Sequence, residues 1–120
     1  MLYTIAKDFT FEAAHQLSGL PPDHKCSRLH GHNYRVRLYL RASLLGQVGF
    51  VEDFGDLAPF GAWLRANWDH RYLNDVFDGN PTAECLAAHL YTVAADLWPS
   101  TIHAVRVYET PDCYAEYKDA

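Results

Sequence analysis

From Tyr34 to Leu40 the chain alternates without a break, with Tyr34, Val36, Leu38 and Leu40 on one parity and Arg35, Arg37 and Tyr39 on the other. A period of two sends successive side chains to opposite faces, so this segment predicts a strand with one buried face. Residues Tyr3 to Ala14 predict another, with Tyr3, Ile5, Phe9, Phe11 and Ala13 on one parity and Thr4, Asp8, Thr10 and Glu12 on the other. The polar linker between them carries Gly19, Pro21 and Pro22, a long connection of the kind that tends to hold function in a small domain.

Helical spacing follows. Asp53 precedes Phe54, Leu57, Ala58, Leu64, Arg65 and Trp68, a mostly apolar stripe with a carboxylate at its start. Asn80-Pro81-Thr82-Ala83-Glu84 opens a second helix, whose Leu86, Leu90, Val93, Ala94 and Leu97 share one face, and Pro99 ends it. Ile102 to Glu109 and Tyr114 to Tyr117 predict two further short strands, separated by Pro111-Asp112. The order ββααββ implies an α+β fold: a four-stranded antiparallel sheet with two helices on one face. At 120 residues this is one domain, residues 1–120.

A net charge of -5 gives no general reason to bind nucleic acid or anionic lipid. No apolar run reaches the roughly 20 residues of a membrane span, and no signal segment precedes the first strand, so a cytoplasmic protein is expected. The odd set Cys26, Cys85 and Cys113 does not resemble a secreted disulfide framework, and free thiols are expected. Cys85 and Cys113 lack a partner motif and read as small packing residues.

His30 and His32 lie two apart at the start of the second strand and project from the same face. His15 ends the first strand on the Phe11 and Ala13 side, so antiparallel pairing brings it opposite them. Three imidazoles around one point suit Zn2+, leaving a fourth position for water or substrate. Two other readings use the same residues: a polar turn that binds nothing, and a closed structural site with Cys26 as fourth ligand. Cys26 sits among His24, Lys25 and Arg28, whose charges favour a thiolate.

Phe9-Thr10-Phe11-Glu12-Ala13-Ala14-His15 and His24-Lys25-Cys26-Ser27-Arg28-Leu29-His30-Gly31-His32-Asn33-Tyr34 together resemble the 6-pyruvoyl-tetrahydropterin synthase family. The resemblance continues through Val51-Glu52-Asp53-Phe54, Trp68-Asp69-His70-Arg71-Tyr72-Leu73-Asn74, Asn80-Pro81-Thr82-Ala83-Glu84 and Tyr108-Glu109-Thr110. Within that family the short chain and the Cys-x-x-x-His-Gly-His spacing are similar to bacterial 6-carboxy-tetrahydropterin synthases of the queuosine pathway.

The resemblance implies a tunnelling fold, in which sheets of neighbouring subunits join into a barrel, and a homohexamer of two trimers with active sites between subunits. It implies a lyase that converts 7,8-dihydroneopterin triphosphate to 6-carboxy-5,6,7,8-tetrahydropterin, acetaldehyde and triphosphate. In that scheme His15, His30 and His32 hold zinc, Cys26 with Asp69 and His70 moves the proton, and Glu109 anchors the pterin. Thr82 and Glu84 match further pocket positions but equally read as a helix cap and a first-turn carboxylate. Lys25, Arg28 and Arg71 are the candidates for the triphosphate. The chain departs from the family pattern at Trp68, where leucine is expected, and at Cys85. Rival outcomes on the same residues are triphosphate elimination to 6-pyruvoyl-tetrahydropterin, cleavage of a sepiapterin-like side chain, and zinc-dependent pterin binding without turnover.

Overall fold

The structure, a computed structural model, describes residues 1–120. Strand β1 (Tyr3–His15) pairs antiparallel with β2 (His30–Ala42) along its whole length. Helix α1 (Ala58–Asn67) follows, then the two-residue strand β3 (Arg71–Tyr72), the single turn α2 (Leu73–Val76) and the long helix α3 (Ala83–Leu97). Strands β4 (Ile102–Thr110) and β5 (Cys113–Tyr117) close the chain.

The alternation read from sequence decides which face is covered. Phe11 and Ala13 of β1, Tyr34, Val36, Leu38 and Leu40 of β2, and Val105 and Val107 of β4 all point to one side. There they form a single core with Leu57, Phe60 and Leu64 near and within α1 and with Leu86, Ala87, Leu90 and Ala94 of α3. Both helices therefore lie on one face, as the pattern predicts. The opposite face carries Thr4, Asp8, Thr10, Glu12, Arg35, Arg37 and Arg41 and has no helix over it.

The sheet itself differs from the four antiparallel strands expected. It has five strands in the order β3-β1-β2-β4-β5, and β3 runs parallel to β1. Two residues leave no alternation to read, and β3 exists because the turn after α1 docks on β1: the Asp69 carboxylate accepts the Glu12 N–H at 2.9 Å and the His70 N–H reaches the Glu12 carbonyl at 2.6 Å. Asp53 does act as a cap, accepting from the Gly55 N–H at 2.9 Å, but of a 3₁₀ turn (Phe54–Leu57) that leads into α1. Cys85 and Cys113 are exposed and not packed, because α3 turns Cys85 outward and Cys113 opens an edge strand. Leu97 is also exposed, at 41%, past the last core turn of α3.

Trp68 has a clear place. It is 2% exposed and packs against Phe11, Trp63, Phe77 and His89, so an indole fills the gap between the end of α1 and the sheet. No helix is long and apolar enough to cross a membrane.

Candidate metal and catalytic site

The register of β1 and β2 sets His15 opposite His30 and Ala13 opposite His32. All three rings fall on the helix-covered face, where ring centroids lie 4.5 Å (His15–His30), 5.0 Å (His15–His32) and 5.0 Å (His30–His32) apart. Their ligand atoms lie within 4.8 Å of one another, so the group can hold a metal ion. His15 is fully buried, and the other two are partly exposed.

Two of the rings are oriented from behind. His15 Nδ1 lies 2.8 Å from the Pro81 carbonyl, and His30 Nδ1 lies 2.7 Å from the Arg28 carbonyl. A carbonyl only accepts, so each Nδ1 carries a proton, and each ring in its neutral form turns a bare Nε2 to the common point. Those two Nε2 atoms are 2.8 Å apart. Facing lone pairs at that distance repel, and a shared cation removes the conflict. This donor set fits a divalent ion that accepts imidazole nitrogen, such as zinc.

Electrostatics point the same way. Burial holds His15 below the ordinary histidine pKa, against the opposing Pro81 hydrogen bond and the Glu109 charge. Burial lowers His32 as well, again opposed by Glu109. Neutral imidazole is the form that binds metal. The Glu109 Oε2 stands 3.5 Å from His15 Nε2 and 3.6 Å from His32 Nε2, which places a carboxylate beside the imidazole cluster. Beneath them, burial raises the Tyr34 hydroxyl pKa and keeps it a neutral partner 3.2 Å from His15 Nδ1.

Cys26 lies in a 3₁₀ turn (Lys25–Ser27) whose first N–H groups are capped by His24: Nδ1 accepts from the Cys26 N–H at 3.0 Å. With Lys25, Arg28, Leu29, His30 and His32 it lines a cavity of about 340 Å³. Asp69 and His70 sit elsewhere. They lie beside Glu12, Asn33 and Arg35 on the uncovered face of the sheet, and His32 is the residue that lines both the His70 region and the Cys26 cavity. His70 Nδ1 is 3.0 Å from the Asp69 carboxylate, and its backbone takes the left-handed φ of 58°, unusual outside glycine. The Glu12 N–H and then His70 hold the Asp69 carboxyl below its ordinary pKa, so it is a fixed anion.

The sequence model of the 6-pyruvoyl tetrahydropterin synthase family matches residues 4–120. The chain belongs to that family. It is 38% identical to 6-carboxy-5,6,7,8-tetrahydropterin synthase of Synechocystis, over 97% of this chain and 93% of that one. It is 32% identical to the Bacillus subtilis protein of the same name, over 97% of this chain and 85% of that one. Among solved structures, 6-pyruvoyl tetrahydropterin synthase of Caenorhabditis elegans superposes with a TM-score of 0.87 at 26% identity, covering 100% of this chain and 97% of that chain.

For a member of the 6-pyruvoyl tetrahydropterin synthase family, the remaining candidates divide by location. Lys25 and Arg28 share the Cys26 cavity, whereas Arg71 lies with His70 and donates to the Ala66 carbonyl at 3.1 Å. The Thr82 hydroxyl accepts from the Cys85 N–H at 3.1 Å, so it caps α3, and Glu84 is exposed in the first turn. Glu109 also lines a cleft of about 460 Å³ with Arg35, Tyr108, Thr110 and Pro111. Sequence reasoning missed the carbonyls of Pro81 and Arg28, since a main-chain acceptor leaves no residue-type signal. It also gave Glu12 no role, though Glu12 stands in the motif that ends at His15.

Proposed function

We propose that this chain is a zinc-dependent lyase acting on 7,8-dihydroneopterin triphosphate and water, the water supplying the second carboxylate oxygen, with 6-carboxy-5,6,7,8-tetrahydropterin, acetaldehyde and triphosphate as products. The observation that carries the metal part is the pair of carbonyl-locked imidazoles aiming bare nitrogens at one point beside His32. The choice of reaction is supported by the Synechocystis relative, 38% identical over 97% of this chain. Bound zinc supplies a Lewis acid that lowers the pKa of the substrate's side-chain hydroxyls.

The protein groups do the rest. Glu109 binds the amino-pyrimidine edge of the pterin through two charge-assisted hydrogen bonds. Its carboxylate, 30% exposed, turns from the histidines toward the cleft it shares with Tyr108 and Thr110 to do so. Lys25 and Arg28, beside the Cys26 cavity, offset the triphosphate charge. Cys26 as thiolate removes the proton from the side-chain carbon next to the ring, and the electron pair of that C–H bond passes into the ring. A free thiol is only a few per cent ionised at neutral pH, so it needs a partner base, and Asp69-His70 is that partner.

Within one chain His70 engages Asp69 and Glu12, and no cavity is lined by both that pair and Cys26. A working set therefore combines Cys26 of one subunit with Asp69 and His70 of another. A homohexamer of two trimers, with sheets joined into a barrel, provides that arrangement and covers the free edges of the sheet. Three free cysteines suit the reducing cytoplasm.

Triphosphate elimination to 6-pyruvoyl-tetrahydropterin is the second reading, favoured by the name of the Caenorhabditis elegans structure. Mass spectrometry of the products from dihydroneopterin triphosphate separates them. The carboxy product with acetaldehyde supports the first reading, and the pyruvoyl product without acetaldehyde replaces it with the second.

A further inference from the structure

Glu12 touches the Asp69-His70 pair at three points. Its N–H donates to Asp69 Oδ1 at 2.9 Å, its carbonyl accepts the His70 N–H at 2.6 Å, and its Oε2 lies 3.3 Å from His70 Nε2. The two backbone bonds hold the turn that gives His70 its positive φ. The side chain does something the backbone does not. Asp69 already takes Nδ1 at 3.0 Å, so Glu12 meets the only other nitrogen of the ring, the one available for proton transfer. The cations lining this region, Arg35 and Arg71, belong to the same uncovered face. Arg35 is paired with Asp8 at 3.2 Å, so it leaves the Glu12 carboxylate to His70.

We propose that Glu12 is a positioning residue of the proton-transfer pair, its carboxylate accepting an Nε2–H of the His70 ring and holding that ring between Asp69 and itself. When the proton leaves Nε2 for the substrate or the thiolate, the N–H electron pair stays on the nitrogen. The neutral ring then loses its bond to Glu12 and keeps Asp69. The ring is thus held at both nitrogens in the state that delivers a proton. This inference rests on the proposed lyase function, and the test below has an arm that does not.

Glu12→Ala and Glu12→Gln retain both backbone bonds and change only the carboxylate. For acetaldehyde release, Glu12→Ala lowers kcat by about tenfold with KM within about twofold of native, and Glu12→Gln falls between the two. Metal content and Tm stay native. Independently of substrate, Nε2 loses its partner in Glu12→Ala. Modification of His70 by diethyl pyrocarbonate, located by peptide mass spectrometry, then rises about threefold or more, scaling with how often that nitrogen is engaged. An unchanged modification rate overturns the proposal whatever kcat does, because Glu12 then does not hold the ring. A raised modification rate with native kcat also overturns it, since the contact would exist without serving the reaction. If the native protein releases no acetaldehyde while His70 in Glu12→Ala becomes more reactive, the lyase reading fails and the Glu12 contact stands.

Discussion

At the scale of single residues, the metal cluster and the outer-face ion pairs make different demands on solvent. In the proposed zinc site His32 is one of three histidine ligands, so His32→Ala should weaken zinc binding by more than the roughly 10–100-fold that a lost outer-shell partner costs. Competition with a chelator measures this, and native affinity in the variant would remove His32 from the ligand set. Asp8 is a contrasting case. Arg37 binds it through Nε at 2.7 Å and Nη2 at 3.0 Å, and Arg35 adds a bond at 3.2 Å. Those hydrogen bonds, Arg37 first, hold its pKa below the ordinary value against a smaller opposing effect of burial. A depressed folded pKa means that stability is present above the unfolded value of about 3.9 and is lost as pH falls through the folded one. Because Asp8 is 36% exposed, solvent screening keeps the effect small. Asp8→Asn should cost about 0.5–1 kcal/mol at pH 7 in urea melts and nothing once the pH is well below 3.9. An equal cost at both extremes would mean that the charge is not what Asp8 contributes.

At the scale of elements, the start of α3 places a helix cap next to a carbonyl that orients a site histidine. Thr82 caps the helix through the Cys85 N–H, and the preceding Pro81 carbonyl orients His15. Thr82→Ala should therefore cost about 1 kcal/mol of stability with KM unchanged. A raised KM at native stability would return Thr82 to the substrate pocket. The elements legible in the sequence are those with a period long enough to read. Tyr34 to Leu40 and Phe9 to Ala13 show the covered face, and Leu86, Leu90 and Ala94 show the helix face on it. The His15, His30 and His32 cluster was equally legible, since parity and antiparallel register suffice to bring the three together. Strand β3 was not, because it depends on the hydrogen bonds that Glu12 donates to Asp69 and accepts from His70, 57 or more residues away in the chain. Nor was the separation of Asp69-His70 from Cys26, which requires knowing the face on which that turn docks.

At the scale of the whole molecule, the chain is extended, 55 × 28 × 24 Å, with a radius of gyration of 15.5 Å. A compact domain of this length has about 13.6 Å. The long β1–β2 ribbon, the uncovered sheet face and the free edge of β5 leave surface that assembly would use. If catalysis joins Cys26 of one subunit to His70 of another, Cys26→Ala and His70→Ala proteins, each silent, should regain activity when mixed and reassembled. Absence of recovery in verified mixed oligomers would place the whole set in one chain.

The most direct test of the central claim is zinc content and acetaldehyde release from dihydroneopterin triphosphate, measured on the native protein and on Cys26→Ala side by side. About one zinc per chain is expected in both, with acetaldehyde from the native protein and none from the variant. Loss of zinc from Cys26→Ala would contradict it by making Cys26 a ligand, and zinc-loaded native protein that releases no acetaldehyde would contradict the reaction itself.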